Sequence, residues 1–88
     1  MLLTAFKAIP ILTVLSREYC HLCRDMVDAL RQIQAAMPFT LQVIDVDSDP
    51  ALEKKYGDLV PVLLTGEREI CHYHLDRAAV NAYLADFR

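Results

Sequence analysis

The sequence predicts an α/β fold in which a mixed sheet carries helices on both faces. Short apolar runs rich in β-forming residues alternate with segments whose apolar residues recur at helical spacing. The last two apolar runs are separated by a short glycine-containing turn, which is typical of an antiparallel hairpin. The predicted order is therefore β-α-β-α-β-β-α, and such a sheet needs helices on both of its faces.

The first half of the chain is predicted as strand, helix and strand. The first strand is the apolar run Ile11–Leu15, and the helix after it spans Leu22–Met37. Apolar residues recur every three or four positions in that helix, which gives it one apolar face. Pro38 marks the end of the helix, and the β-forming segment Phe39–Val46 is the second strand.

A short second helix is predicted from its two ends. Asp49 and Pro50 form a typical start, since aspartate is a preferred N-cap and proline is tolerated at the first helical position. Gly57 is the expected C-terminal stop, because glycine often ends helices. The helix between them has about two turns.

A hairpin and a third helix complete the predicted order. The third strand is Val60–Leu64, the turn is Thr65–Glu67 and the fourth strand is Glu69–Tyr73. Two strands joined by a short loop that contains glycine are expected to pair antiparallel. Asp76 is placed to cap the last helix, whose apolar residues again share one face.

Composition limits the class of protein. A chain of 88 residues has room for one domain, so residues 1–88 are predicted as a single domain, expected to be monomeric. The net charge is −3 and the Lys and Arg residues are scattered, which argues against a nucleic-acid partner. No apolar run of about 20 residues predicts a membrane span.

The cysteine count and the start of the chain bear on the compartment. Lys7 and Pro10 interrupt the apolar start, so we expect no export signal. Three cysteines, an odd number, do not form a disulfide framework. We therefore expect a cytoplasmic protein, in which paired cysteines are usually catalytic or metal-binding.

The pair Cys20 and Cys23 carries the chemical hypothesis. It lies between the first strand and the first helix. A helix N-terminus offers N–H donors and a partial positive charge, and both stabilise a thiolate, the nucleophilic form of cysteine. The position favours thiol–disulfide exchange, although the same spacing also occurs in half of a zinc site.

Three segments of this sequence occur together in a known superfamily. They are Ser16–Cys23 after the first strand, Val46-Asp47 at the end of the second, and Val60-Pro61-Val62 at the third. With the order of elements, they make the chain similar to the thioredoxin superfamily, and most to small glutaredoxin-like proteins, from Ile11 to Leu84. The resemblance implies a four-stranded mixed sheet in the order 2-1-3-4.

The resemblance also implies roles for individual residues. In that superfamily the first motif cysteine attacks a disulfide and the second resolves the mixed disulfide, which assigns these roles to Cys20 and Cys23. The proline has a cis peptide bond and lies against the motif, which assigns that place to Pro61. Because proline has no N–H, the backbone of the neighbouring Val60 is expected to pair with an extended substrate segment.

Residues around the pair are further candidates for substrate binding and thiolate stabilisation. Tyr19 is expected either to line a groove beside the nucleophile or to be an ordinary surface aromatic. His21 either stabilises the thiolate as a charged imidazole or is an exposed histidine of little effect. Arg17 and Arg24 add positive charge nearby, which Glu18 and Asp25 oppose.

The sequence departs from glutaredoxins in two places. His21-Leu22 stands where glutaredoxins usually carry Pro-Tyr, and Cys71–Asp76 replaces the Gly-Gly-x-Asp-Asp segment that helps hold glutathione. Asp76, or the helix start behind it, remains a candidate contact for glutathione. The expected partner is a protein disulfide or glutathione as co-substrate, and no bound cofactor is expected.

Two other functions remain open. A non-catalytic protein-binding module or a thiol redox sensor would use the same fold and an accessible thiol. A zinc site would need Cys71, His72 or His74 beside the motif, but two strand spacings separate them by about 10 Å. We therefore expect no metal, with Cys71 as a small buried hydrophobe and both histidines on the surface.

Overall fold

The computed structural model describes residues 9–87 of the chain. Its elements follow the predicted order β-α-β-α-β-β-α, and short 3-10 segments at Val46–Ser48 and Gly57–Leu59 flank the second helix. The strands and helices are β1 (Ile11–Ser16), α1 (His21–Ala36), β2 (Thr40–Asp45), α2 (Pro50–Tyr56), β3 (Val62–Thr65), β4 (Arg68–His72) and α3 (Arg77–Ala85).

The four strands form one mixed sheet in the order β2-β1-β3-β4, which confirms the expected order. β2 runs parallel to β1, and β3 is antiparallel to both β1 and β4. Leu15 near the end of β1 pairs with Val62 at the start of β3. The loop that leaves β1 and the segment that enters β3 therefore lie at the same end of the sheet.

Apolar side chains cover both faces of the sheet, as predicted. β1 buries the consecutive residues Val14 and Leu15, because it is a central strand with helices on either side. The cluster on the face of α1 and α3 includes Leu12, Val14, Leu30, Leu63, Val80 and Leu84. The cluster on the other face, which includes the end of α2, comprises Leu15, Val46, Tyr56, Val62 and Leu64.

Both predicted aspartate caps are present. The Asp49 side chain accepts a hydrogen bond from the Ala51 N–H at 2.8 Å at the start of α2. The Asp76 side chain accepts one from the Ala79 N–H at 3.0 Å at the start of α3. Each carboxylate satisfies an N–H group that the helix itself leaves unpaired.

Gly57 follows the last residue of α2, as predicted, but not with the left-handed backbone that usually makes glycine a helix stop. Its φ of −55° is right-handed, and the chain continues into a 3-10 turn. Two side-chain ends closely approach the position that a Cβ atom would take. A Cβ atom would lie 2.6 Å from Glu53 Oε2 and 3.0 Å from Arg17 Nη2.

All four strands differ from the predicted bounds by one or two residues, and β1 extends to Ser16. β2 stops before Val46, which begins a 3-10 turn, and β3 begins at Val62 rather than Val60. Pro61 has no N–H to donate to a strand ladder, which favours this later start. β4 ends at His72, because Tyr73 has a φ of 63° and leaves the extended conformation.

Candidate active site

The cysteine pair lies at the N-terminus of α1. Cys20 is the N-cap residue, and its Sγ accepts a hydrogen bond from the Cys23 N–H at 3.2 Å. The two residues are joined by a disulfide, with their Cα atoms 5.2 Å apart. A sulfur at this position faces helix N–H donors and the positive end of the helix dipole, an environment that favours the thiolate when the pair is reduced.

The two cysteines differ in exposure in the way the sequence predicts. Cys20 is half-buried, whereas Cys23 is only 3% exposed. An incoming disulfide therefore reaches Cys20 first. Cys23 lies one turn further into α1, within reach of the Cys20 sulfur but shielded from large partners.

Arg17 links the loop before the cysteine pair to α2 and to the segments on either side of it. Its Nε and Nη2 atoms contact the Asp47 carboxylate at 2.9 and 3.0 Å, and Nη2 also contacts Glu53 at 3.4 Å. Nη1 donates to the Gly57 carbonyl at 3.2 Å. The hydrogen bond to Asp47 raises the pKa of Arg17.

These contacts change the predicted electrostatics of the pair. Two carboxylates balance the charge of Arg17, so it acts as a link between segments more than as a free cation beside the sulfur. His21 is exposed, and its Nε2 lies 3.2 Å from Asp25 Oδ2. Among the described residues Arg24 makes no ion pair, and its backbone N–H donates to the Cys20 carbonyl at 3.2 Å.

Tyr19 lies beside the pair in an unusual conformation. Its side chain is 98% exposed and its φ is 59°, in the left-handed region that residues with a Cβ rarely adopt. Tyr19 and both cysteines line a cavity of about 580 Å³. Val27 of α1 and Val43 of β2 also line it. The cavity is therefore bordered by α1 and β2, and Val60 and Pro61 do not line it.

The Val60-Pro61 segment lies at the same end of the sheet as the cysteine loop, because Val62 pairs with Leu15. The peptide bond between Val60 and Pro61 is cis. Pro61 is buried and Val60 is half-buried. The sheet register thus brings two of the segments singled out in the sequence to one end of the molecule.

The β4–α3 loop carries the remaining candidates. Cys71 is half-buried against the α1/α3 core, and burial raises the pKa of its thiol. His72 and His74 are exposed, and His72 Nδ1 pairs with Glu69 at 2.7 Å. The Asp76 carboxylate caps α3.

These residues do not assemble with the cysteine pair into a cluster of metal ligands. Within residues 9–87 no group of three His, Cys, Asp or Glu side chains is placed to hold a metal ion. In the same part of the chain, no helix combines the length and the apolar character needed to cross a bilayer.

Comparison with known proteins identifies the family. The model of the glutaredoxin-like domain matches residues 11–85. The chain belongs to this family. Its glutaredoxin-like thioredoxin fold, with a cysteine pair at disulfide distance, supports a thiol redox role in general.

Two solved structures and a curated relative are similar to this glutaredoxin-like domain over most of their length. An NMR structure of a protein from Nitrosomonas europaea is 42% identical, with a TM-score of 0.78, over 89% of this chain and 95% of that one. An X-ray structure of a protein from X. campestris is 37% identical, with a TM-score of 0.67, over 85% and 96%. An uncharacterised protein of Mycobacterium tuberculosis is 28% identical over 86% of this chain and 84% of its own length.

Thioredoxins share the fold alone. Thioredoxin 1 from Thermosipho africanus is 20% identical, with a TM-score of 0.59, over 86% of this chain and 96% of that one. Its strands and helices match this glutaredoxin-like domain, which confirms the fold expected from the sequence. Nothing about substrates follows from a likeness at this level.

Two features of the site were not found from the sequence. Asp47 and Glu53 were not expected to bind Arg17, which is 30 and 36 residues away. The sequence predicts Tyr73 only as the end of a strand, whereas its backbone N–H binds the Pro61 carbonyl. Gly57 is a candidate signal for the first feature, since a glycine can mark a place where other groups approach the backbone closely.

Proposed function

We propose that this glutaredoxin-like domain is a thiol–disulfide oxidoreductase in which Cys20 is the nucleophile and Cys23 the resolving thiol. The observation that carries the proposal is the asymmetry of the pair. The Cys20 sulfur is half-buried, caps α1 and accepts a helix N–H, whereas its disulfide partner Cys23 is 3% exposed. Such a pair suits attack by one sulfur and intramolecular resolution by the other.

The reaction begins from the reduced pair. The Cys20 thiolate attacks one sulfur of a substrate disulfide, the substrate S–S bond breaks, and the departing thiolate takes a proton from water. Cys23 then gives up its proton and attacks the Cys20 sulfur. The Cys20–Cys23 disulfide forms and the second substrate thiol leaves with that proton. The substrate gains two electrons that the pair loses, and a thiol reductant returns the pair to its dithiol form.

The substrate contacts follow from the surroundings of the pair. The half-buried Val60 backbone would pair with an extended segment of the substrate, while Pro61, which lacks an N–H, packs behind it. Tyr19 would contact the substrate on the side of the cavity beside the pair. His21 would add positive charge at the nucleophile when it is protonated.

The partner is proposed to be a protein disulfide or glutathione in the cytoplasm. For glutathione, the start of α3 at Asp76 would meet a charged end of the tripeptide. The two partners are distinguished by trapping. In Cys23→Ser the mixed disulfide on Cys20 persists, because the serine hydroxyl does not displace it.

The trapping experiment uses reduced Cys23→Ser, with Cys20→Ser as the matched control. Each is mixed at neutral pH with oxidised glutathione or with a peptide disulfide, and adducts are measured by intact mass. Both proteins also carry Cys71→Ala. We expect an adduct on Cys20 in the Cys23→Ser protein and no adduct on Cys23 in the Cys20→Ser protein. If Cys23→Ser traps neither partner, the exchange function is wrong and a binding or sensing role remains.

A further inference from the structure

The β4–α3 loop contains a residue that is bound at two points to the segment before β3. The Tyr73 backbone N–H donates to the Pro61 carbonyl at 2.8 Å. The Tyr73 hydroxyl donates to the Asp58 carbonyl at 2.8 Å. These two hydrogen bonds enclose Leu59 and Val60, so a single residue holds both ends of the segment that carries the proposed substrate-binding backbone.

Tyr73 adopts this position against its local preference. Its φ of 63° lies in the left-handed region, which is unfavourable for an aromatic residue because the Cβ crowds the neighbouring carbonyl. Tyr73 is also 41% exposed, so burial in the core does not explain its placement. Backbone strain of this kind is kept where the surrounding contacts require it, and it is often found next to functional sites.

A second contact holds the same segment from the cysteine side. Arg17, three residues before Cys20, donates to the Gly57 carbonyl at 3.2 Å. The segment 57–61 is therefore held at its start by the cysteine loop and further along by Tyr73. The segment that contains Val60 is therefore bound both to the cysteine loop and to the β4–α3 loop.

We propose that Tyr73 is a positioning residue that holds the Val60 backbone in place for an extended substrate next to the cysteine pair. The proposal rests on the proposed exchange function and adds a positioning residue to it, one that serves disulfides carried on an extended peptide. A small disulfide without a peptide backbone reacts with Cys20 but makes no use of this contact. Tyr73 should therefore affect the first class of substrate and not the second.

The test compares two disulfides that share a leaving group. One is the small reagent 5,5′-dithiobis(2-nitrobenzoate). The other is a short extended peptide whose cysteine is joined to the same thionitrobenzoate. In both, reduced Cys20 attacks, Cys23 resolves the mixed disulfide, and coloured thionitrobenzoate is released, two molecules per pair from the small reagent and one from the peptide disulfide. Each variant is therefore compared with the parent on the same substrate. All proteins carry Cys71→Ala, so that this thiol does not contribute to the signal.

Three variants are compared with the parent protein. Tyr73→Phe removes the hydroxyl that binds Asp58. Tyr73→Asn removes the phenol but keeps a residue that tolerates a positive φ. Tyr83→Phe is the matched control, since the Tyr83 hydroxyl accepts a 2.6 Å hydrogen bond from Thr65 Oγ1 at the opposite end of β3. It loses a comparable side-chain hydrogen bond away from the cysteine pair.

We expect both Tyr73 variants to lower the rate with the peptide disulfide by about three- to tenfold, the loss equivalent to one hydrogen bond. Their rates with the small reagent should match that of the parent, and Tyr83→Phe should leave both rates unchanged.

The positioning role is wrong if the Tyr73 variants are slowed equally with both substrates. It is also wrong if they react with the peptide disulfide as fast as the parent does. The exchange function is unaffected by either result. If the parent protein reacts with neither substrate, the exchange function itself fails. The same readout therefore separates the two failures.

Discussion

Substitutions at Asp76 can separate its structural role as a helix cap from its proposed role as a glutathione contact. Its carboxylate accepts the Ala79 N–H at 3.0 Å and caps α3, and it is also the candidate contact for glutathione. Replacing it with alanine removes the cap, whereas replacing it with asparagine keeps a capping oxygen and removes only the charge. The two variants should therefore differ in stability. Both should show the same decrease in glutathione adduct formation if the negative charge of Asp76 contacts glutathione.

The magnitude follows from the helix that the cap begins. Loss of an aspartate N-cap costs about 1 kcal/mol. The Val80 N–H still donates to the Asp76 carbonyl at 3.1 Å, and Val80 and Leu84 remain buried, so α3 stays docked. With a urea m-value of about 1 kcal/mol per molar for a domain of this size, the Asp76→Ala midpoint falls by about 1 M. Asp76→Asn keeps most of the cap and loses only a few tenths of a kcal/mol of charge–dipole energy, roughly a third as much.

The assay is urea unfolding of the oxidised protein, followed by glutathione adduct formation in the Cys23→Ser background. Asp49→Ala is the control, because Asp49 caps α2 in the same way with a 2.8 Å bond to the Ala51 N–H. It should lose similar stability and keep the parental rate of adduct formation. Equal destabilisation by Asp76→Ala and Asp76→Asn would refute the capping argument. A parental adduct rate in Asp76→Asn would remove this carboxylate as a glutathione contact.

Two further predictions concern Cys71 and Gly57. Burial raises the pKa of the Cys71 thiol, so the folded state keeps this proton at a pH where the unfolded chain has released it. The free energy of unfolding should therefore fall as the pH rises above about 8.5, and urea unfolding should show a smaller fall in Cys71→Ala; equal falls would contradict the argument. In Gly57→Ala the new Cβ would lie 2.6 Å from Glu53 Oε2, so the end of this flexible side chain has to move and its contact with Arg17 weakens. The φ of −55° at Gly57 suits alanine, so a thermal melt should give a melting temperature close to the parental value; a loss of about 2 kcal/mol or more would show that the Arg17 contacts cannot shift.

Local patterns in the sequence were sufficient for most of the fold. The helix start at Asp49-Pro50 and the cap at Asp76 depend on contacts between residues two or three positions apart, and both are present. The hairpin turn follows from a glycine with a φ of 60° at Gly66. The ends of β3 and β4 were less accurate, because Pro61 has no N–H to donate to a strand ladder and Tyr73 leaves the extended conformation with a φ of 63°.

The candidate site divides in the same way. The position of Cys20 and Cys23 at a helix start, and their difference in burial, follow from the spacing of the motif and the apolar face of α1. The partners of Arg17 do not. The sequence predicts that the charge of Arg17 acts on the cysteine pair, whereas Arg17 forms ion pairs with the carboxylates of Asp47 and Glu53.

The sequence by itself determined the order of elements, the helix caps and the cysteine pair at the start of α1, because these depend on periodicity and on contacts within one turn. Only the tertiary structure decided what surrounds that pair. The pairing of β1 with β2 and of β3 with its two neighbours brings residues from distant parts of the chain to one end of the sheet, where Arg17 binds Asp47 and Tyr73 binds the carbonyls of Asp58 and Pro61. Such contacts depend on strand register and loop geometry, which leave no short-range pattern in the sequence.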